Sequence, residues 1–275
     1  MSSFNIVAET SEATVVAKYT PEKRRSTDYQ SEAELEKDFI HRLIQQGYEY
    51  INITDEMILI ANLRTQLEKL NHYTFSDKEW EQFYSQKLAN GNEGIVEKTR
   101  KIQGDSVQIL NCDNGATKNI KLIDKKEIHN NFLQMINQYE EDGGNHETRY
   151  DVTVLVNGFP LVHIELKRRG VAIREAFNQI KRYQRDSFWA GCGLYEYIQV
   201  FVISNGTHTK YYSNTTRNQH IKDFAEKIFS KNKKTSNSFE FTSYWADSSN
   251  IIIADLVDFT KTFLAKHTIL NILTR

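Results

Sequence analysis

Residues Arg149 to Lys167, RYDVTVLVNGFPLVHIELK, set two acids and a lysine in a short apolar stretch with the composition of sheet interior. Valine, leucine and isoleucine flank Asn157-Gly158, a dipeptide that strongly favours a tight hairpin turn. Side chains alternate along a strand, so Glu165 and Lys167 share one face while Ile164 and Leu166 share the other. Charged groups inside an apolar hairpin are costly unless they are paired or hold a metal. Asp151, Glu165 and Lys167 therefore mark a site.

The turn imposes a condition on that site. A two-residue turn pairs Val156 with Phe159, and a regular ladder then pairs Asp151 with Ile164, which leaves Asp151 and Glu165 on different faces. A three-residue connection, with Gly158 left-handed as a bulge, changes the parity by one and returns Asp151, Glu165 and Lys167 to one face. The expectation is an odd-length connection or a bulge.

A chain of 275 residues with 39% hydrophobic content can bury a sizeable core. Met1 to Glu12 are polar and acidic, and no apolar run approaches the roughly 18 residues of a membrane span, so the expected compartment is the cytoplasm and no membrane partner is expected. Cys112 and Cys192 lack zinc-site spacing and read as reduced thiols. A formal net charge of −1 argues against tight binding of DNA through global charge, so any contact must be local. Candidates are Lys167-Arg168-Arg169 with Arg174, then Lys181, Arg182 and Arg185, and the run Lys231 to Lys234, the last better suited to a solvated loop.

Residues 1 to 30 read as an extended lead-in. Ser31 with Glu34 forms a capping box, and Leu35, Phe39, Ile40, Leu43 and Ile44 make the stripe of a helix that Gly47 stops. Residues 54 to 103 read as a helical insertion broken at Asn90-Gly91-Asn92. Short strands are expected near Val107 to Leu110 and Asn119 to Ile123, a longer one at Phe132 to Tyr139, a turn at Glu140 to Asn145, then the hairpin. Ala172 to Phe188 reads as an amphipathic helix, Tyr197 to Ser204 and His208 to Tyr212 as strands, 218 to 230 as a helix, Phe239 to Tyr244 as a strand and Ile251 to Leu273 as one long helix. The class is α/β, a mixed central sheet flanked by helices, with a main domain over 31–248 and a terminal helical segment over 249–275.

Phosphodiester hydrolysis needs an activated water, stabilisation of phosphoryl charge and protonation of the leaving oxygen. Asp151 and Glu165 are hard oxygen ligands suited to Mg²⁺, Lys167 would orient the water or stabilise developing charge, and the Leu166 carbonyl could complete the metal shell. Glu32 and Glu36 share a helix face, and either could add a further acid; Glu36 is preferred. His163 shares a face with Glu165, as a bystander or phosphate contact or, more simply, as a core histidine.

Asp151 followed by Glu165-Leu-Lys167 resembles the PD-(D/E)xK nuclease signature, with Tyr150 where the name has proline, and Gln179-Ile-Lys-Arg-Tyr183 resembles the QxxxY motif of its RecB-like branch. More widely, Ser31 to Tyr50, Asp151 to Lys167, Phe177 to Asp186, Asn205-Gly206 and Tyr244-Trp-Ala-Asp247 resemble the N-terminal endonuclease domain of the restriction (R) subunit of type I restriction-modification enzymes. The resemblance implies a restriction-endonuclease-like core and an Mg²⁺-dependent endonuclease that cuts double-stranded DNA nonspecifically after ATP-driven translocation. It implies partnership with modification (M) and specificity (S) subunits, and Gln179 and Tyr183 beside the active site. No GxxxxGK[ST] phosphate loop occurs, so ATP dependence would belong to motor domains that in this family follow the nuclease domain, with 249–275 as a helix leading toward them. An alternative is a docking module that joins motor and modification subunits through its helices, with the acids merely structural.

Overall fold

Ser31 caps the first helix as its sequence predicts: its backbone N–H donates to the Glu34 carboxylate at 2.9 Å and its hydroxyl accepts from the Glu34 N–H at 3.3 Å. The computed structural model describes residues 6–9, 14–16, 30–141, 148–188, 193–214 and 238–274. The expected turn at 140–145 (from 142 on), the helix at 218–230, the basic run 231–234, Cys192 and the Arg185 side chain lie outside them.

In chain order, strands β1 (Ile6–Glu9) and β2 (Thr14–Val16) form a hairpin within the lead-in. Then come α1 (Glu32–Gln45), β3 (Glu49–Tyr50), α2 (Glu56–Asn71), α3 (Asp77–Phe83) continued by a π turn at Tyr84–Leu88, α4 (Ile95–Gln103), and the hairpin β4 (Val107–Asn111) and β5 (Thr117–Lys121). The centre is β6 (Leu133–Glu141), β7 (Thr148–Val156) and β8 (Phe159–Leu166), followed by α5 (Arg174–Asp186), β9 (Val200–Ser204) and β10 (Thr209–Ser213). The chain closes with β11 (Trp245–Ala246), β12 (Ile252–Ile253), α6 (Leu256–Thr262) and α7 (Lys266–Thr274).

Six strands make one sheet in the order β10-β9-β8-β7-β6-β3. Pairing is parallel at β3–β6 and β8–β9 and antiparallel elsewhere, so the sheet is mixed and the protein is α/β. All of β8 is buried, which accounts for its near-continuous apolar sequence. Both α1 and α5 contact β8, bringing two helices to the strand that carries Glu165.

Two expectations fail for local reasons. Phe239 to Tyr244 is not a strand: Ser238–Phe241 is a 3-10 turn, because the backbone N–H (3.1 Å) and the hydroxyl (2.7 Å) of Thr242 both donate to the Phe239 carbonyl and close a turn instead. The terminal helix is also broken. Ile251 to Ile253 is β-branched and enters β12, Asp255 caps α6, and the apolar stripe Leu256, Phe259, Phe263 skips a turn at Lys266-His267 before resuming at Ile269, Leu270 and Leu273. The break lets both halves bury apolar faces. The Tyr48 hydroxyl donates to the Leu264 carbonyl at 2.7 Å and Gln46 to that of Thr260 at 2.9 Å, so this segment packs back on the end of α1. Among the described residues no helix is long and apolar enough to cross a membrane.

The helical insertion approaches the site hairpin closely at its turn. Asn157 (φ 50°) and Gly158 (φ 84°) form the left-handed pair of a tight turn, and a Cβ on Gly158 would lie 2.6 Å from the Leu63 Cα of α2. Glycine is thus required both for conformation and for close approach. Gly158→Ala is expected to destabilise the chain by roughly 2–4 kcal/mol, the sum of left-handed strain and overpacking, read as a drop in the denaturant midpoint. An unchanged midpoint would mean that α2 does not clamp the turn.

Candidate active site

Pairing across the hairpin changes by one residue midway. Val156 faces Phe159 and Leu155 faces Pro160, but Val154 faces Val162, so Leu161 is an extra residue in β8. The connection is therefore the two-residue turn, and the parity change comes from a bulge inside β8, three residues beyond Gly158. Beyond the bulge Val152 faces Ile164, and continuing that register by one residue brings Asp151 opposite Glu165. Both acids lie on one face. Pro160 is the sequence signal for this bulge: it cannot donate to a ladder, and prolines in inner strands sit at bulges.

The acids meet where the end of β8 lies against the first half of β7. The Leu166 backbone N–H donates to Asp151 Oδ2 at 2.8 Å, tying β7 to β8. Lys167 Nζ lies 3.4 Å from Glu165 Oε1, 3.2 Å from Glu32 Oε1 and 3.0 Å from the Leu166 carbonyl. Burial, and secondarily the charge of Glu165, pushes Asp151 up to about 8; burial also pushes Glu165 up to about 8, partly offset by Lys167. Burial alone would lower the Lys167 ammonium, but Glu165, Asp151 and Glu32 outweigh it and hold it above its ordinary value.

Helix α1 supplies two further acids with different partners. Glu32 pairs with Lys167. Glu36, one turn on, accepts from Asn137 Nδ2 at 2.6 Å and from Gln138 Nε2 on β6. Glu32, Glu36, Asn137, Gln138 and Asp151 border a cleft of about 620 Å³ that is also lined by Lys37, Tyr50 and Arg149. Sequence reasoning missed Arg149, Lys37, Asn137 and Gln138. Arg149 was accessible to it, since it stands two residues before Asp151 and so on the same face; the others need α1 docked on the sheet.

Behind the acids lies an aromatic layer. Tyr183 donates to the Arg149 carbonyl at 3.0 Å and accepts from Gln179, and its ring is edge-on to Tyr150 and His163. His163 is fully buried, with Nδ1 3.4 Å from the Thr153 hydroxyl and Nε2 3.4 Å from Glu165 Oε2. Burial lowers it to about 4, so it is a neutral core ring out of reach of a phosphate. Arg168 and Arg182 are exposed, whereas Arg169 is half-buried over the turn at Gly206.

Among the described residues no group of three or more His, Cys, Asp or Glu side chains could alone hold a metal ion. The donor set suits instead an ion that takes one or two carboxylates and completes its shell with water and substrate oxygens, as Mg²⁺ does. Asp151 and Glu165 fit that role: both are hard oxygen donors, and Glu165 Oε2 is buried without a hydrogen-bond partner. The Leu166 carbonyl, however, already accepts from Lys167.

A family described as type I restriction enzyme R protein N terminus matches residues 29–220. The endonuclease subunit of the type I restriction enzyme EcoprrI of Escherichia coli is 46% identical over 268 residues, 97% of this chain and 80% of that protein. The corresponding subunit of SsaAORF53P from Staphylococcus saprophyticus is 36% identical over 252 residues, 90% of this chain. The chain spans 24% of the length of that relative. A putative type I endonuclease subunit, MjaIXP, of Methanocaldococcus jannaschii is 31% identical over 120 residues, 42% of this chain and 11% of that protein.

Raised carboxylate values make the metal-free chain sensitive to pH. Asp151 and Glu165 bind more protons folded than unfolded between their ordinary values, 3.8 and 4.5, and about 8, so stability falls as pH rises through that interval and levels off above it. His163, lowered from 6.5 to about 4, has the opposite slope, but only below 6.5. Between pH 6.5 and 8, with a chelator present, stability should fall by up to about 1.4 kcal/mol per pH unit for each acid. Glu165→Gln should flatten the slope and raise stability at pH 8. Equal slopes for the two proteins in denaturant titrations would show that Glu165 is not a buried titrating acid.

Proposed function

The chain belongs to the family of type I restriction enzyme R protein N termini, and within it we propose that Asp151, Glu165 and Lys167 form an Mg²⁺-dependent endonuclease centre that hydrolyses phosphodiester bonds of double-stranded DNA. The observation that carries this reading is the bulge at Leu161, which sets both acids on one face next to Lys167, with Asp151 lining an open cleft. The arrangement follows the PD-(D/E)xK pattern.

Asp151 and Glu165 hold the ion by carboxylate oxygens. When bound, Mg²⁺ lowers the pKa of its water and offsets charge on the phosphoryl oxygens. Lys167 stays charged among three acids and directs its N–H groups toward the scissile phosphate or the attacking water. Tyr183, through the Arg149 carbonyl, fixes the start of β7 that carries Asp151, and Gln179 orients the Tyr183 hydroxyl. Arg168 and Arg182, exposed near the site, contact the DNA backbone with Arg169 as their packed neighbour, a local footprint on a chain of net charge −1. Phosphate contacts carry no sequence information, which suits nonspecific cutting. Translocation driven by ATP, and recognition by specificity and modification subunits, are assigned to parts of a longer assembly; the fourfold greater length of the staphylococcal relative supports this.

Asp151→Ala, Glu165→Ala and Lys167→Ala should each lower Mg²⁺-dependent DNA cleavage at least about 100-fold in the full-length subunit assembled with its partners, while ATP hydrolysis persists. Retained cleavage in Lys167→Ala would place the centre elsewhere. Loss of ATP hydrolysis together with cleavage would favour a structural role for the acids. Tyr183→Ala should reduce cutting less severely, and unchanged cutting would remove Gln179 and Tyr183 from the site.

A further inference from the structure

Four described non-glycine residues have a left-handed backbone, and three of them sit where such a conformation ends an element: His72 caps α2, and Asn157 and Asn250 lie in tight turns. The fourth, Gln138 (φ 55°), lies inside β6. Its place is specific. Asn137 pairs with Val152 and Tyr139 with Tyr150, so Gln138 stands opposite Asp151 with the register unbroken on either side.

A residue with a Cβ holds such a conformation only where its surroundings over-determine it. Here the restraint is visible. In a regular strand the side chains of Asn137 and Gln138 would point to opposite faces, yet both donate to the same carboxylate, that of Glu36. The Tyr50 hydroxyl donates to Asn137 Oδ1 at 2.9 Å, which turns the Asn137 Nδ2 toward Glu36. Each Glu36 oxygen is thus engaged by an amide, in charge-assisted hydrogen bonds that span from α1 to β6.

We propose that Glu36 is a positioning residue, which holds the left-handed kink at Gln138 through the Asn137 and Gln138 amides and thereby fixes the strand against which Asp151 is set. This rests on the nuclease reading above and deepens it. The two acids of α1 divide the work: Glu32 pairs with Lys167, whereas Glu36 acts on the opposite wall of the cleft through β6.

The distinction from a direct role at the metal is testable by rescue, since glycine takes the left-handed conformation without a steric penalty. Glu36→Ala should lower both the melting temperature of the 275-residue chain and the Mg²⁺-dependent cleavage by the full-length subunit, the latter by roughly 10-fold or more. Adding Gln138→Gly to Glu36→Ala should raise both again, because the kink no longer needs the carboxylate. A double variant that regains its melting temperature but cuts no better than Glu36→Ala would overturn the proposal and make Glu36 a direct participant, as would a double variant that regains neither. Wild-type behaviour of Glu36→Ala would also overturn it. Should Glu36→Ala fail to fold, Glu36→Gln, which keeps an acceptor for only one of the two amides, supports the same comparison. Asp151→Ala is the control. If it cuts as well as wild type, the nuclease reading fails, whereas rescue of the melting temperature still decides the role of Glu36.

Discussion

One extra residue in β8 sets which side chains share a face of the central hairpin. Without Leu161 as a bulge, the tight Asn157-Gly158 turn would send Asp151 and Glu165 to opposite faces, because the side-chain period of a strand is two. The bulge lets a short turn, clamped by Leu63 of α2, coexist with two acids on one face. The turn is thus free to satisfy the packing of the helical insertion while Asp151 and Glu165 still share a face.

Bringing two carboxylates together in an apolar sheet is unfavourable, and the fold answers this locally. Leu166 donates a backbone hydrogen bond to Asp151, Lys167 approaches Glu165, and Glu32 on α1 balances Lys167 from the other side. What remains is a pair of acids pushed well above the ordinary carboxylate range, with Glu165 Oε2 accepting no hydrogen bond. Positive charge beside this pair would offset that cost, which is the electrostatic basis of the proposed metal site. Behind it, the ring of His163 stays neutral because it is packed between Tyr150, Tyr183 and Phe188, so the acids gain no permanent cation from that side.

Helix α1 joins the two halves of the cleft. Its capping box and apolar stripe are local properties, and they place Glu32 and Glu36 one turn apart on the face that looks over the sheet. Because β8 and β6 lie on either side of β7, the two acids reach different strands, one toward Lys167 and one toward Gln138. The C-terminal segment, with α6 packed on α1, buttresses the helix from behind through Tyr48 and Gln46.

The α/β class, the hairpin, the capping box and the grouping of Asp151, Glu165 and Lys167 were legible in the residues, because each rests on a short-range rule: alternation, capping, the cost of buried charge. The requirement for a bulge was legible too, but not its position, although Pro160 points to it. Ser238–Phe241 and the break between α6 and α7 were not, since a turn made by Thr242 and a skipped apolar stripe are decided by contacts with other elements. Sequence alone favoured Glu36 over Glu32 but gave neither a partner. Only the docking of α1 across three strands gave them separate partners and revealed Gln138, a residue with no local signal, because the free energy that holds it left-handed comes from a carboxylate 102 positions away.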